Sequence, residues 1–184
     1  MEPFEMLNKR RRRPLPEVDL TKGRSIAYSR SVTSRIMEIL DANGHGNVHG
    51  GVIMRMVDEA AAIVAIKHAQ RHVVTARVER FDFHAPAYIG NVVTIVCALN
   101  FVGRTSMEVG VEVTAEDIIS GEVRQVASSQ VVYVALGEDG KPTPVPPIAP
   151  ADAEEEARIE KAKARRERMK RIDEEIGQLR QNPS

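Results

Sequence analysis

The chain has no tryptophan, a single cysteine and only 4% aromatic residues. With Cys97 alone, no intramolecular disulfide can form, which fits a reducing compartment. Cys97 sits in a strand-like apolar run and reads as packing rather than as a nucleophile. Scarce aromatics leave Val, Ile, Ala and Met to build the core. Charge of one sign is missing too, because 26 basic and 26 acidic side chains cancel. That removes the electrostatic footprint of a dedicated nucleic-acid binder. No apolar run approaches the roughly 18 residues of a membrane span, and the first residues lack the apolar segment of a secretory signal. A cytoplasmic protein with neither nucleic acid nor membrane as partner is expected. What is present, 42% apolar in 184 residues, suffices for one packed domain with tails.

Three regions are expected. Residues 1–23 form an arm with a basic cluster from Lys9 to Arg13, read as a solvated tail or as a patch for phosphates. Residues 24–148 form the domain. Residues 149–184 form a charged helix after a Pro-rich connector. Its heptad positions (Ala162, Met169 and Ile176, or Arg165, Ile172 and Leu179) leave two readings open: packing on its own domain, or a short coiled-coil contact between subunits.

Within the domain, Ser25 to Ile39 reads as extended and Asp41 to Gly46 as a loop. A helix is expected from Asn47 to about His68. Its apolar positions Ile53, Met56, Val57, Ala60, Ala61 and Val64 recur at helical spacing. Val52, Ile63 and Ile66 lie off that stripe, so the helix is apolar over most of its circumference and should be buried. Strands are expected at Val73 to Phe83, Val92 to Val102, Thr105 to Ile118 and Glu122 to Leu136. Short breaks at Gly103-Arg104 and Ser120-Gly121 suit hairpins. One long helix with long antiparallel strands is an α+β arrangement, a sheet wrapped around a central helix.

Asn47, Gly50, Gly51 and Asp58 stand out. Asn47 precedes the expected helix, where its side chain can simply cap it. Two glycines in the first turn cost helix propensity. Either the sheet packs closely there, or the free N–H groups of the helix start meet a developing oxyanion. Asp58 reads as a carboxylate on the apolar stripe, where it must pair, protonate or act. Asn47 and Asp58 would lie about 16 Å apart along one helix. If both act on one carbonyl, two antiparallel copies must share the site, giving a two-fold dimer with two sites. His45 and His49 lack partners at a metal spacing, and no metal is expected.

The run Asp41-Ala42-Asn43-Gly44-His45-Gly46-Asn47-Val48-His49-Gly50-Gly51-Val52-Ile53-Met54, with Asp58-Glu59-Ala60, resembles the hotdog-fold acyl-CoA thioesterases, specifically the cytosolic acyl-CoA hydrolases. The resemblance continues through Phe81-Asp82-Phe83, Gly103-Arg104-Thr105-Ser106-Met107 and Tyr133-Val134-Ala135-Leu136. It implies the hotdog fold, a homodimer at minimum and often a trimer of dimers. It also implies catalytic residues at the Asn47 and Asp58 positions, contributed by opposite units. Arg104, Thr105 and Ser106 match a family segment and are candidates for contacts to coenzyme A, although a plain hairpin turn explains them equally well.

The expected function is hydrolysis of acyl-CoA to a free acid and CoA, with CoA entering as part of the substrate and no separate cofactor. In this reading Asp58 is base or nucleophile, Asn47 orients water or substrate, and Gly50 and Gly51 polarise the carbonyl. The competing readings are a hotdog dehydratase, for which Asp58 lacks a convincing His partner, and a non-catalytic acyl-CoA sensor.

Overall fold

The computed structural model describes residues 15–181, so the basic cluster Lys9 to Arg13 lies outside the described residues. In chain order the elements are α1 (Ile26–Ser29), β1 (Ser31–Ile36), a 3-10 turn (Ile39–Asp41), α2 (Gly50–Ala69), β2 (His72–Phe83), β3 (Val92–Val102), β4 (Ser106–Glu116), β5 (Val123–Leu136) and α3 (Ala153–Gln181). The strands form one antiparallel sheet in the order β1-β3-β4-β5-β2. The sheet wraps around α2, as the pattern of one apolar helix among alternating strands predicts.

Burial follows the two periodicities. On α2 the buried stripe is Ile53, Met56, Val57, Ala60, Ala61, Val64 and Ala65. On the sheet, Val93, Ile95 and Cys97 of β3 and Val109, Val111 and Val113 of β4 face that helix at every second residue. Small and β-branched side chains let helix and sheet approach closely, with Tyr133 as the one fully buried aromatic among the described residues. Burial pushes the Cys97 thiol up to about 12, so it packs as an apolar side chain.

The extended reading of Ser25 to Ile39 needs a correction. Ile26–Ser29 is a helical turn, and only Ser31–Ile36 is a strand. The cause is a long-range cap. The Glu155 carboxylate accepts the N–H groups of Ile26 at 3.1 Å and Ala27 at 2.8 Å, while Ser25 Oγ accepts that of Tyr28. A carboxylate from α3, 129 positions away, is not visible in local periodicity.

The helix α3 lies on the outer face of the sheet, opposite α2. Its anchors are polar: Arg158 donates to Leu99 O and Asn100 Oδ1, and Arg165 and Arg166 pair with the fully buried Glu108. Ala162 is buried in the same contact, while Met169 and Ile172 stay exposed. These facts favour packing on its own domain for the Ala162–Arg165 stretch. No helix among the described residues is long and apolar enough to cross a membrane.

Candidate active site

The α2 helix begins at Gly50, not at Asn47, and its cap is His49. The His49 Nδ1 accepts the Gly51 N–H at 2.9 Å. Gly51 is thus corrected as an oxyanion donor, because its N–H is already taken. The Gly50 N–H has no acceptor among the described residues. Gly50 also lacks the Cβ that would stand 3.2 Å from the Phe83 ring, so close packing of β2 on the helix start explains this glycine directly.

Asn47 lies before the helix, in a loop closed on itself. Asn43 N donates to Asn47 O at 2.7 Å, and Asn43 Oδ1 accepts the N–H groups of His45 at 2.8 Å and Asn47 at 3.2 Å. Gly46 takes φ +81°, a left-handed position suited to glycine. His49 N reaches Asp41 O, and Val48 N reaches Ala87 O, so the loop is pinned at both ends. Asn43, Asn47, Gly50, Ile53, Phe83 and Val126 line one cleft of about 380 Å³. A groove of about 420 Å³ on the outer side, between α3 and Arg77 of β2, lies away from these groups.

Asp58 needs a second correction. It is exposed and sits beside the buried stripe rather than on it, one residue and about 100° beyond Val57. Its neighbours along the helix at multiples of four are Met54 and Ile66, both nearly half exposed. Three hydrogen bonds position it. Thr75 Oγ1 donates to Asp58 Oδ1 at 2.7 Å. The single Tyr133 hydroxyl proton is shared between Asp58 O at 2.8 Å and Oδ1 at 3.0 Å. Burial, followed by the Asp58 charge, holds the Tyr133 phenol well above its ordinary range, so it stays a donor. Both side-chain donors fall on Oδ1, and Oδ2 has no partner among the described residues.

Asp58 and the asparagine loop lie apart. From Gly50 to Asp58 the helix rises about 12 Å, and no hydrogen bond joins Asp58 to Asn43, Asn47 or Gly50. The Arg104-Thr105-Ser106 segment is the β3–β4 turn. Gly103 N donates to Ser106 O, while Arg104 O and Thr105 O accept from Val145 and Ala135. The Arg104 side chain is exposed. Among the described residues no group of three or more His, Cys, Asp or Glu side chains is arranged to hold a metal ion.

A five-stranded antiparallel sheet wrapped around one buried helix is the hotdog fold, here with donors converging on a carboxylate at the helix flank. Residues 45–122 match the thioesterase superfamily. An uncharacterized acyl-CoA thioester hydrolase of Bacillus subtilis is 39% identical over 67% of this chain and 71% of its own length. The chain belongs to the thioesterase superfamily, in its acyl-CoA thioester hydrolase branch. Rat cytosolic acyl coenzyme A thioester hydrolase is 37% identical over 79% of this chain, which spans only 39% of that longer protein. Among solved structures, a hexameric acyl-CoA thioesterase in its apo form superposes with a TM-score of 0.79 at 36% identity, covering 83% of this chain and 97% of its own. An acyl-CoA hydrolase from Staphylococcus aureus, in complex with butyryl coenzyme A and coenzyme A, gives 0.77 at 34% identity over 87% and 98%.

Three further structures of the Staphylococcus aureus enzyme carry alanine in place of an Asn, an Asp and a Thr, spaced 15 and 17 positions apart. Asn43, Asp58 and Thr75 repeat that spacing in this chain, whereas Asn47 lies 11 positions from Asp58. Asn43, Thr75 and Tyr133 join the candidate site residues on this spacing and on their hydrogen bonds, and sequence periodicity alone does not single them out. Thr75 is the only threonine of β2, but a β-branched residue within a strand is not conspicuous. The signal for Asn43 was available in the loop, eclipsed by an Asn47 assumed to start the helix.

Proposed function

We propose that this protein hydrolyses acyl-CoA thioesters to the free acid and coenzyme A. The observation that carries the proposal is the Asp58 carboxylate, with Oδ1 held by Thr75 and Tyr133 and Oδ2 left open. Oδ2 takes a proton from water, and the hydroxyl oxygen adds to the thioester carbon. The Gly50 N–H and the Asn43 amide, whose Oδ1 is tied up in the loop so that Nδ2 is the free group, stabilise the resulting oxyanion. Collapse breaks the C–S bond, and the departing thiolate recovers the proton from Asp58.

Asn47 lines the same cleft and is proposed to orient the acyl group. Asn43 takes the amide role because it matches the spacing of the substituted asparagine in the Staphylococcus aureus enzyme. The exposed guanidinium of Arg104, with the hydroxyls of Thr105 and Ser106, is assigned to the coenzyme A moiety.

Because Asp58 and the Asn43 loop stand at different points along α2, the reaction needs two copies of the chain. The open α2–β2 face fits that need. Met54 and Ile66 of α2, with Val78 and Phe83 on the helix-facing side of β2, are each 45–53% exposed, an apolar area that a second copy would cover. We propose a two-fold dimer across this face, with three dimers in the full assembly, by analogy with relatives described as hexameric. A cytoplasmic location follows the rat relative, which is named cytosolic.

The test is thiol release from acyl-CoAs of graded chain length by the wild type and by Asp58→Ala. Release by the wild type and none by the variant supports the proposal. Binding without release by the wild type refutes it in favour of a sensor.

A further inference from the structure

Among the described residues, the outer face of the sheet is covered at one end only. The α3 helix lies over Leu99, Asn100 and Phe101 of β3 and Glu108 of β4. At the other end, Ile36, Val92, Glu116 and Val123 form one cross-strand row. Ala115 faces the core and is fully buried, so its neighbour Glu116 and the rest of that row face outward. Ile36 is 54% and Val123 59% exposed.

Two tips extend beyond this row. One is the 3-10 turn with Ile39 and Leu40, the other the β4–β5 turn with Ile118 and Ile119. Leu40 is 94% and Ile119 96% exposed. Only β3 separates β1 from β4, so Ile36 and Glu116, the strand ends from which the two tips leave, stand about 10 Å apart, two strand spacings. Single exposed aliphatics are ordinary, but six large ones at one corner mark a contact surface.

We infer that this corner is a second interface between copies of this chain, distinct from the α2–β2 face and responsible for joining dimers. The inference rests on the trimer-of-dimers reading. A closed assembly of three two-fold dimers requires two kinds of contact, and the α2–β2 face supplies only the two-fold one. Charge favours another copy over an anionic surface. The neighbouring cations are already paired, Arg35 with Asp41 and Arg124 with Glu122, while Glu116 and Asp117 add negative charge. The contact would also bear on the site, because the turn bearing Leu40 runs straight into the Asn43 loop, where Asp41 O accepts the His49 N–H.

Sedimentation velocity of the full chain tests this, comparing the wild type with the double variant Leu40→Asp, Ile119→Asp. Ile119→Asp alone serves as a second variant, since an almost wholly exposed turn side chain tolerates a charge without unfolding. Far-UV circular dichroism and thermal melting check the fold. The expected result is a hexameric wild type and a dimeric variant with an unchanged far-UV spectrum and a single cooperative melt, lowered only by the loss of the interface. A variant that remains hexameric overturns the inference and leaves the trimer-of-dimers reading standing. A dimeric wild type overturns that reading and the interface with it. Co-sedimentation of the wild type with uncharged phosphatidylcholine vesicles, lost in the variant, would assign the corner to lipid and overturn the second-copy partner.

Discussion

The Tyr133 hydroxyl bridges the backbone carbonyl and the side-chain Oδ1 of Asp58, at 2.8 and 3.0 Å. One buried phenol on β5 therefore fixes both the position of the helix turn and the rotamer of the carboxylate it carries. Thr75 on β2 adds its own bond to the same oxygen at 2.7 Å. The helix is thus indexed against two neighbouring strands at the residue assigned to the chemistry.

Removing that index should lower turnover more than substrate binding. Tyr133→Phe keeps the ring in the core and deletes only the hydroxyl. A hydrogen bond to a charged group contributes about 1.5–3 kcal/mol, which corresponds to a fall in kcat of roughly ten- to a hundredfold. Steady-state kinetics should show KM for acyl-CoA nearly unchanged. A Tyr133→Phe enzyme with wild-type kcat would remove Tyr133 from the site.

The two loop asparagines should separate in the same assay. Asn43→Ala removes the proposed oxyanion donor and also the Oδ1 that organises the loop through His45 and Asn47, so kcat should fall by about 10²–10³, the range for losing one oxyanion donor. Asn47→Ala leaves that turn intact and should act mainly on KM. The reverse ranking would return the amide role to Asn47.

Much of this was legible in the sequence, for identifiable reasons. The strand alternation from Val92 to Val113 and the buried stripe from Ile53 to Val64 are strong periodic signals, and the structure carries both. The exposure of Asp58 was not legible. Its flank is apolar through Met54 and Ile66, and sequence periodicity does not distinguish apolar surface buried within a chain from apolar surface facing a second copy. The helix start was misplaced because Gly50 and Gly51 follow a histidine cap, a less usual choice than the asparagine two positions before it. The α1 turn was missed because Glu155, its carboxylate cap, comes from the far end of the chain.

A buried histidine sets an acid limit on stability. His68 is fully buried at the end of α2, with Nε2 against Pro146 O at 2.9 Å and Nδ1 without a partner. Burial lowers its pKa from the ordinary value near 6.5, outweighing the Pro146 bond. The unfolded chain therefore binds the proton more readily than the folded one. Stability should be full above about pH 6.5 and fall as pH drops below it toward the folded-state value. Thermal melts from pH 8 to pH 5 should show this decline in the wild type and a flatter profile in His68→Gln.

The lone thiol provides a simple check of the core. Cys97 is fully buried, and its pKa is raised to about 12. Thiolate is the reactive form, so native protein should not react with a disulfide reagent on the timescale of a thiol-release assay. One thiol per chain should appear on denaturation. Rapid labelling of native protein would contradict the packing of β3 against α2.

The most direct measurement is complementation between two inactive variants. Asn43→Ala and Asp58→Ala chains are co-expressed in equal amounts and assayed for acyl-CoA hydrolysis. If each site takes Asn43 from one chain and Asp58 from the other, every mixed dimer has one intact site and one doubly altered site. Random pairing should then restore about a quarter of wild-type activity, as two-fold symmetry requires. Activity that stays at the level of the separate variants would contradict a site shared between two copies.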